Sequence, residues 1–236
     1  MKLSFEHNTK TISFELIYRK RKTLEIRVGP PDKVTVISPF GISRKKVLQH
    51  VNKKSGWIAK KLYHFEQMKV VYKKKEFVNG ESFLYLGRDY YLEIVDNKEL
   101  KNPQVNLFDG KIVIETPSRD EQKLFLAMKR WYYKMANEKI SQLVDYYAGK
   151  FPLKPLEVKV KEQKRRWGSC TYKNKLLFNW RCIMAPVPVV GYIVVHEMCH
   201  MLEKNHSKKF WNLVWSVLPD YKERKEWLKN NGVRMV

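Results

Sequence analysis

Alternating apolar and polar residues mark the first part of the chain as β. Thr11 to Tyr18, Thr23 to Val28 and Lys33 to Ser38 each alternate, and Gly29-Pro30-Pro31-Asp32 separates the last two. Beyond Ser43, a residue type suited to an N-cap, the period lengthens to that of a helix. Val47 and Val51 share one face, and Ile58, Leu62 and Phe65 continue it after Ser55-Gly56. A second β block follows in Phe83 to Leu86, Tyr90 to Val95, Gln104 to Phe108 and Lys111 to Glu115. Asp109-Gly110 between the last two is a two-residue hairpin signal, because both turn positions require positive φ. Ser118 is the expected cap of a long helix from Arg119 to Ala148, with Leu124, Met128, Trp131, Met135, Ile140, Leu143 and Val144 on its apolar face.

The last third is mixed. Glu157 to Val160 and Lys175 to Trp180 read as strands around a loop-like stretch from Gln163 to Lys173. Pro188 suits the first turn of a helix reaching to about Leu202. Ser207 opens another helix, which Pro219 stops, and Asp220 with Glu223 has the spacing of a capping box for a final one. No internal repeat stands out. The expected class is α+β, with an N-terminal β-rich domain carrying a basic helical insert over 1–118 and a second domain over 119–236.

Composition narrows the class. At 44% hydrophobic and 13% aromatic residues the chain can bury a core, so disorder is excluded. The longest weakly polar run, Ile183 to Val195, contains two prolines and falls short of the roughly 20 residues a bilayer needs, so no membrane insertion is expected. Three cysteines without C-x-x-C spacing argue against a disulfide framework, and the N-terminal decapeptide lacks a signal-like apolar stretch, so a reducing, cytoplasmic setting is expected. The formal net charge of +23 suits a polyanionic partner. Eleven Lys or Arg against Glu66 alone lie between Arg44 and Lys75, and a second basic run comprises Lys159, Lys161, Lys164, Arg165 and Arg166. Nucleic acid is therefore a candidate partner.

The chemistry concentrates in His196-Glu197-Met198-Cys199-His200. Histidines at i and i+4 of a helix project from one face and can reach one Zn²⁺, while the glutamate beside the first can serve as general base toward water. The preceding segment, Val189 to Val195, is apolar throughout, as a buried active-site helix requires. Half of the six histidines fall between His196 and His206, and the six residues from His200 to His206 allow the chain to turn a third imidazole onto the metal. Three protein ligands plus water is the catalytic zinc pattern. Glu223 and Glu226 are the rival third ligands. Arg166-Trp167-Gly168-Ser169 is either an extended edge for backbone pairing with substrate or a turn packing Trp167 on the active-site helix, and a basic residue there can stabilise an oxyanion.

These motifs, together with Asn205-His206-Ser207, Phe210-Trp211, Asn179-Trp180-Arg181, the early Arg21 to Val28 segment, Trp57-Ile58 and Tyr85-Leu86-Gly87, resemble the YgjP-like metal-dependent hydrolases over nearly the whole chain. The resemblance implies a zincin-like metallopeptidase domain, with His196, His200 and His206 as metal ligands and Glu197 as catalytic base. The expected protein is thus a zinc metallopeptidase binding one Zn²⁺ and acting on peptides or proteins. The alternative is a basic nucleic-acid-binding protein with a structural or vestigial zinc site, or a peptidase recruited to nucleic-acid-bound proteins.

Overall fold

A computed structural model describes residues 1–29, 32–67, 75–163 and 166–235. Pro30-Pro31, part of the first basic run (68–74) and Lys164-Arg165 of the second lie outside the described residues. The architecture is α+β, with three sheets and six α-helices among the described residues. No helix among them is long and apolar enough to cross a membrane.

The chain divides into two compact units, Met1–Lys74 and Lys75–Val236. In the first, β1 (Lys2–His7), β2 (Lys10–Arg19), β3 (Glu25–Gly29) and β4 (Lys33–Pro39) form one sheet in the order β1-β2-β4-β3. Alternation points Phe14, Leu16, Val34 and Val36 inward, where they meet Val47 and Val51 of α1 (Arg44–Lys53) and Ile58 of α2 (Ser55–Gln67). Ser43 caps α1 as expected, accepting from the Lys46 N–H. Up to Gln67 the first basic run is carried by these two helices and by Lys54 between them, while its last residue, Lys75, belongs to the second unit.

In the second unit, β5 (Ser82–Tyr85), β6 (Arg88–Asp96), β7 (Gln104–Phe108) and β8 (Lys111–Thr116) form a sheet in the order β5-β6-β8-β7. Its layout repeats that of the first sheet. Two antiparallel hairpins are joined by parallel pairing of the second and fourth strands, Leu16 with Val36 in one case and Leu92 with Ile112 in the other. The repeat escapes sequence inspection because strand alternation survives while residue identities and loop lengths differ. Asp109 and Gly110 both take positive φ, giving the tight hairpin that their identities require.

The division at residues 74 and 75 falls before the boundary expected near 118, for a physical reason. Phe83, Tyr85, Leu92, Ile94, Ile112 and Ile114 bury their inner face in one core with Leu124, Met128, Trp131 and Tyr132 of the long helix α3 (Glu121–Ala148). A boundary at 118 would cut that core in two. The Tyr132 hydroxyl donates to the Leu84 carbonyl, and the Leu86 and Gly87 N–H groups donate to Ile183 and Met184 in a 3₁₀ helix, Trp180–Met184. Gly87 has φ +81°, and a Cβ there would lie 2.6 Å from Pro186 Cγ, so glycine is required twice over. Asp120, not Ser118, caps α3, because its carboxylate reaches the Lys123 N–H at 2.8 Å.

The third sheet joins β9 (Glu157–Lys161), β10 (Gly168–Cys170) and β11 (Lys175–Asn179) in the order β10-β11-β9. The supposed loop from Gln163 to Lys173 therefore contains a short edge strand. Glu162, just after β9, accepts from Lys129, Trp180 and Arg181. Burial raises its pKa, but these three donors outweigh that and hold it at about 2, against the ordinary 4.5. A carboxylate with a depressed folded pKa stabilises above its unfolded pKa and loses that contribution as pH falls through the folded one. About a third of the side chain is exposed, so Glu162→Gln should cost about 1 kcal/mol near neutrality. Chemical denaturation should show the deficit shrinking as pH falls from 4.5 towards 2.

Candidate metal centre

Helix α4 (Val187–Cys199) carries the H-E-x-x-H segment. Pro188 sits in its first turn, where a missing N–H costs nothing, and Val189 through Val195 are buried on every side. The helix ends at Cys199, earlier than its apolar pattern suggests, so His200 occupies the C-cap. The chain then turns through Met201, Leu202 and Glu203, whose N–H groups satisfy the Met198 and Cys199 carbonyls. Asn205 contributes through its side chain, which accepts from the Ser207 N–H; it does not take the left-handed backbone conformation. Ser207 caps α5 (Lys208–Val217), fixing His206 immediately before it.

This turn brings three imidazoles together. His206 Nε2 lies 3.0 Å from His196 Nε2 and 3.1 Å from His200 Nε2. The ligand atoms of all three lie within 4.8 Å of one another. Phe210 of α5 floors the cluster, its ring centroid 4.5–5.0 Å from those of the histidines. Neither rival acid joins: Glu226 is paired with Lys229, and Glu223 is exposed on α6 (Tyr221–Asn231). Nor do Asp220 and Glu223 form a capping box, because the Asp220 carboxylate is taken by Arg224.

The donor set fits a metal ion. His200 Nδ1–H donates to the Glu203 carbonyl at 2.9 Å, which leaves its Nε2 as a lone pair facing the other rings. Three converging Nε2 atoms cannot satisfy one another, since a neutral imidazole has a single N–H. A metal cation held by all three would relieve the repulsion. Burial, followed by the charges of His200, His206 and Lys225, depresses the His196 pKa to about 3, keeping the ring in the neutral form that ligates. Its Nδ1 is buried without a hydrogen-bond partner among the described residues.

Glu197 points from α4 toward β10 and is only 6% exposed. Burial raises its pKa to about 7, against the opposing pull of Arg166 and the Cys170 backbone N–H. Gly168 makes room for it, since a Cβ at 168 would lie 2.6 Å from Glu197 Cγ and 2.8 Å from Oε1. Arg166 is exposed just before the strand, and Ser169 is half-buried within it. Of the two readings of this segment, residues 168–170 form the extended strand β10, and the Trp167 indole lies against Gly232. Lys159 and Lys161 belong to β9, at the opposite edge of the sheet, so the second basic run divides and Arg166 alone of its described members stands beside Glu197.

Asn179 is a structural residue for which sequence reasoning assigned no role. Almost fully buried, it donates through Nδ2 to the Gln163 and Arg166 carbonyls, while its N–H holds the Trp167 carbonyl. The signal was a polar amide closing an apolar strand. The thiols offer no nucleophile: burial raises all three, Cys199 to about 12.

A family profile described as YgjP-like, metallopeptidase domain, matches residues 22–231. The fold and this match define the class as a metal-dependent hydrolase of the peptidase type. The chain belongs to the YgjP-like metallopeptidase family. Among solved structures, the crystal structure of the metallopeptidase zymogen of Pyrococcus abyssi abylysin is similar at 19% identity, over 41% of this chain and 99% of that one, with a TM-score of 0.36. No curated protein matches the sequence significantly.

Proposed function

We propose that the protein is a zinc-dependent peptidase in which His196, His200 and His206 hold one Zn²⁺ and Glu197 is the general base. The observation that carries this reading is the convergence of three imidazoles, His206 Nε2 lying 3.0 and 3.1 Å from the other two, beside a buried carboxylate. Three imidazole donors suit zinc, and the ion would supply Lewis acidity, which lowers the pKa of a water and polarises a carbonyl. Glu197 takes the proton from the attacking water and delivers it to the leaving amine. A pKa near 7 suits both transfers, because the carboxylate can accept and release the proton at neutral pH.

β10 is the proposed substrate edge. Among the described residues it is the outer strand of its sheet and pairs with β11 on one side only, Gly168 with Phe178 through Cys170 with Leu176. The other side, apart from the Cys170 N–H that donates to Glu197, offers backbone groups to an extended peptide. The test is metal analysis of purified protein together with a cleavage screen on proteome-derived peptides, which should yield about one zinc per chain and defined cleavage sites. His206→Ala should weaken zinc binding by about 100-fold or more, since a first ligand is lost where even an outer partner matters by 10–100-fold. Competition against a chromophoric chelator measures it, and unchanged affinity would remove His206 from the ligand set.

A further inference from the structure

We infer that this site selects peptides with acidic side chains flanking the scissile bond; the inference rests on the peptidase reading above. Three cations come to the histidine cluster and Glu197 from three separate elements. Arg166, exposed at the head of β10, acts on Glu197, and its backbone carbonyl is fixed by Asn179. Lys204 lies in the turn between His200 and His206 and acts on His200 and Cys170. Its Nζ donates to Asn174 Oδ1 at 2.6 Å, tying that turn to the β10–β11 connection. Lys225 of α6 stands 4.0 Å from the Trp211 ring centroid, and Trp211 in turn stacks on His206 with centroids 5.6 Å apart. Lys225 also acts on His196.

None of the three forms an ion pair with a described acid. Of the acids around them, Glu197 is buried, Asp220 pairs with Arg224 and Glu226 with Lys229, while Glu223 is exposed on the same helix as Lys225 but does not pair with it. Glu203, next to Lys204, is half-buried, and its backbone carbonyl holds His200. Lys204 is held by Asn174 and Lys225 lies over Trp211, yet no acid neutralises either, so their charge and that of Arg166 is available to a ligand at the histidine cluster and β10. An acidic peptide uses both features, the charges and the backbone edge. An oligonucleotide matches the charges but has no amide ladder for β10.

The test uses the zinc-loaded full chain carrying Glu197→Gln and three fluorescein-labelled octapeptides that differ only in having Glu, Gln or Lys around the central bond. Fluorescence anisotropy should show the Glu peptide binding roughly ten-fold tighter than the Gln peptide, the preference shrinking as salt screens it. In the Arg166→Gln, Lys204→Gln, Lys225→Gln triple variant the two peptides should bind alike. In the Lys159→Gln, Lys161→Gln control, at the far edge of the sheet, the ten-fold preference should persist and so exclude mere attraction to a basic protein. Equal binding of the Glu and Gln peptides, an unaltered preference in the triple variant, or stronger competition by a single-stranded oligonucleotide than by the Glu peptide overturns the inference. Cleavage by the wild-type chain is read separately. Cleavage without acidic preference sinks the inference alone, and acidic preference without cleavage sinks the peptidase reading alone.

Discussion

Glu197→Gln should retain one zinc per chain and lose peptide hydrolysis by about 10³-fold, near the middle of the range by which a positioned acid–base group accelerates reactions. The substitution is isosteric, so the buried pocket between α4 and β10 keeps its volume, and the amide oxygen can still accept from the Cys170 N–H. What disappears is the ability to take up and release a proton. Folding should be unharmed. The wild-type carboxylate is desolvated in its pocket, and a neutral amide avoids that penalty, so the thermal midpoint should hold or rise. Zinc content and the melting curve identify a folded, loaded variant, and a turnover assay on the peptide found in the cleavage screen gives the rate. Activity within ten-fold of wild type in that loaded variant would remove Glu197 from the role of base.

How much of this was legible beforehand depends on the range of the forces involved. Asp109-Gly110 and the apolar run ending in His196 were readable because each is decided by its own residues, through turn sterics in one case and continuous burial in the other. The His196, Glu197 and His200 constellation was readable for the same reason, since helical spacing alone puts i and i+4 on one face. Failures came where a competing side chain or another element decides. Asp220 had the spacing of a cap, but Arg224 captured its carboxylate. β10 has three residues, too few for a period, and exists because Leu176, Leu177 and Phe178 of β11 pair with it. The boundary expected at 118 followed the passage from strands to a long helix, which does not reveal that β5, β6 and β8 share a core with α3. Gly168 was read only as part of a possible substrate edge or turn, and only the fold reveals that the space beside it is filled by Glu197.

That neighbour makes Gly168→Ala the sharper experiment. Gly168 does not take positive φ, so alanine is acceptable to the backbone and the obstacle is purely steric. The added Cβ would meet Glu197 Cγ at 2.6 Å, Oε1 at 2.8 Å and Cδ at 2.9 Å. β10 cannot easily retreat, since Gly168 is paired with Phe178 and the Trp167 carbonyl accepts from both the Asn179 N–H and the Cys182 thiol. Nor can α4, buried along its length. The Glu197 side chain must therefore move, and a displacement of about 1 Å in a catalytic group costs on the order of 10²-fold in rate, with about 1–3 kcal/mol of stability lost to overpacking. Ser169→Ala is the control, because alternate residues of a strand face opposite ways; it should stay within a few-fold of wild type. The kinetic split decides between two roles for the missing side chain. If Gly168 serves Glu197, kcat falls and KM changes little; if it serves substrate approach to the edge, KM rises and kcat holds. A Gly168→Ala, Glu197→Gln double variant settles the coupling. Since the glycine acts through the carboxylate, the double variant should be no slower than Glu197→Gln alone, and additive losses would place Gly168 in contact with substrate instead.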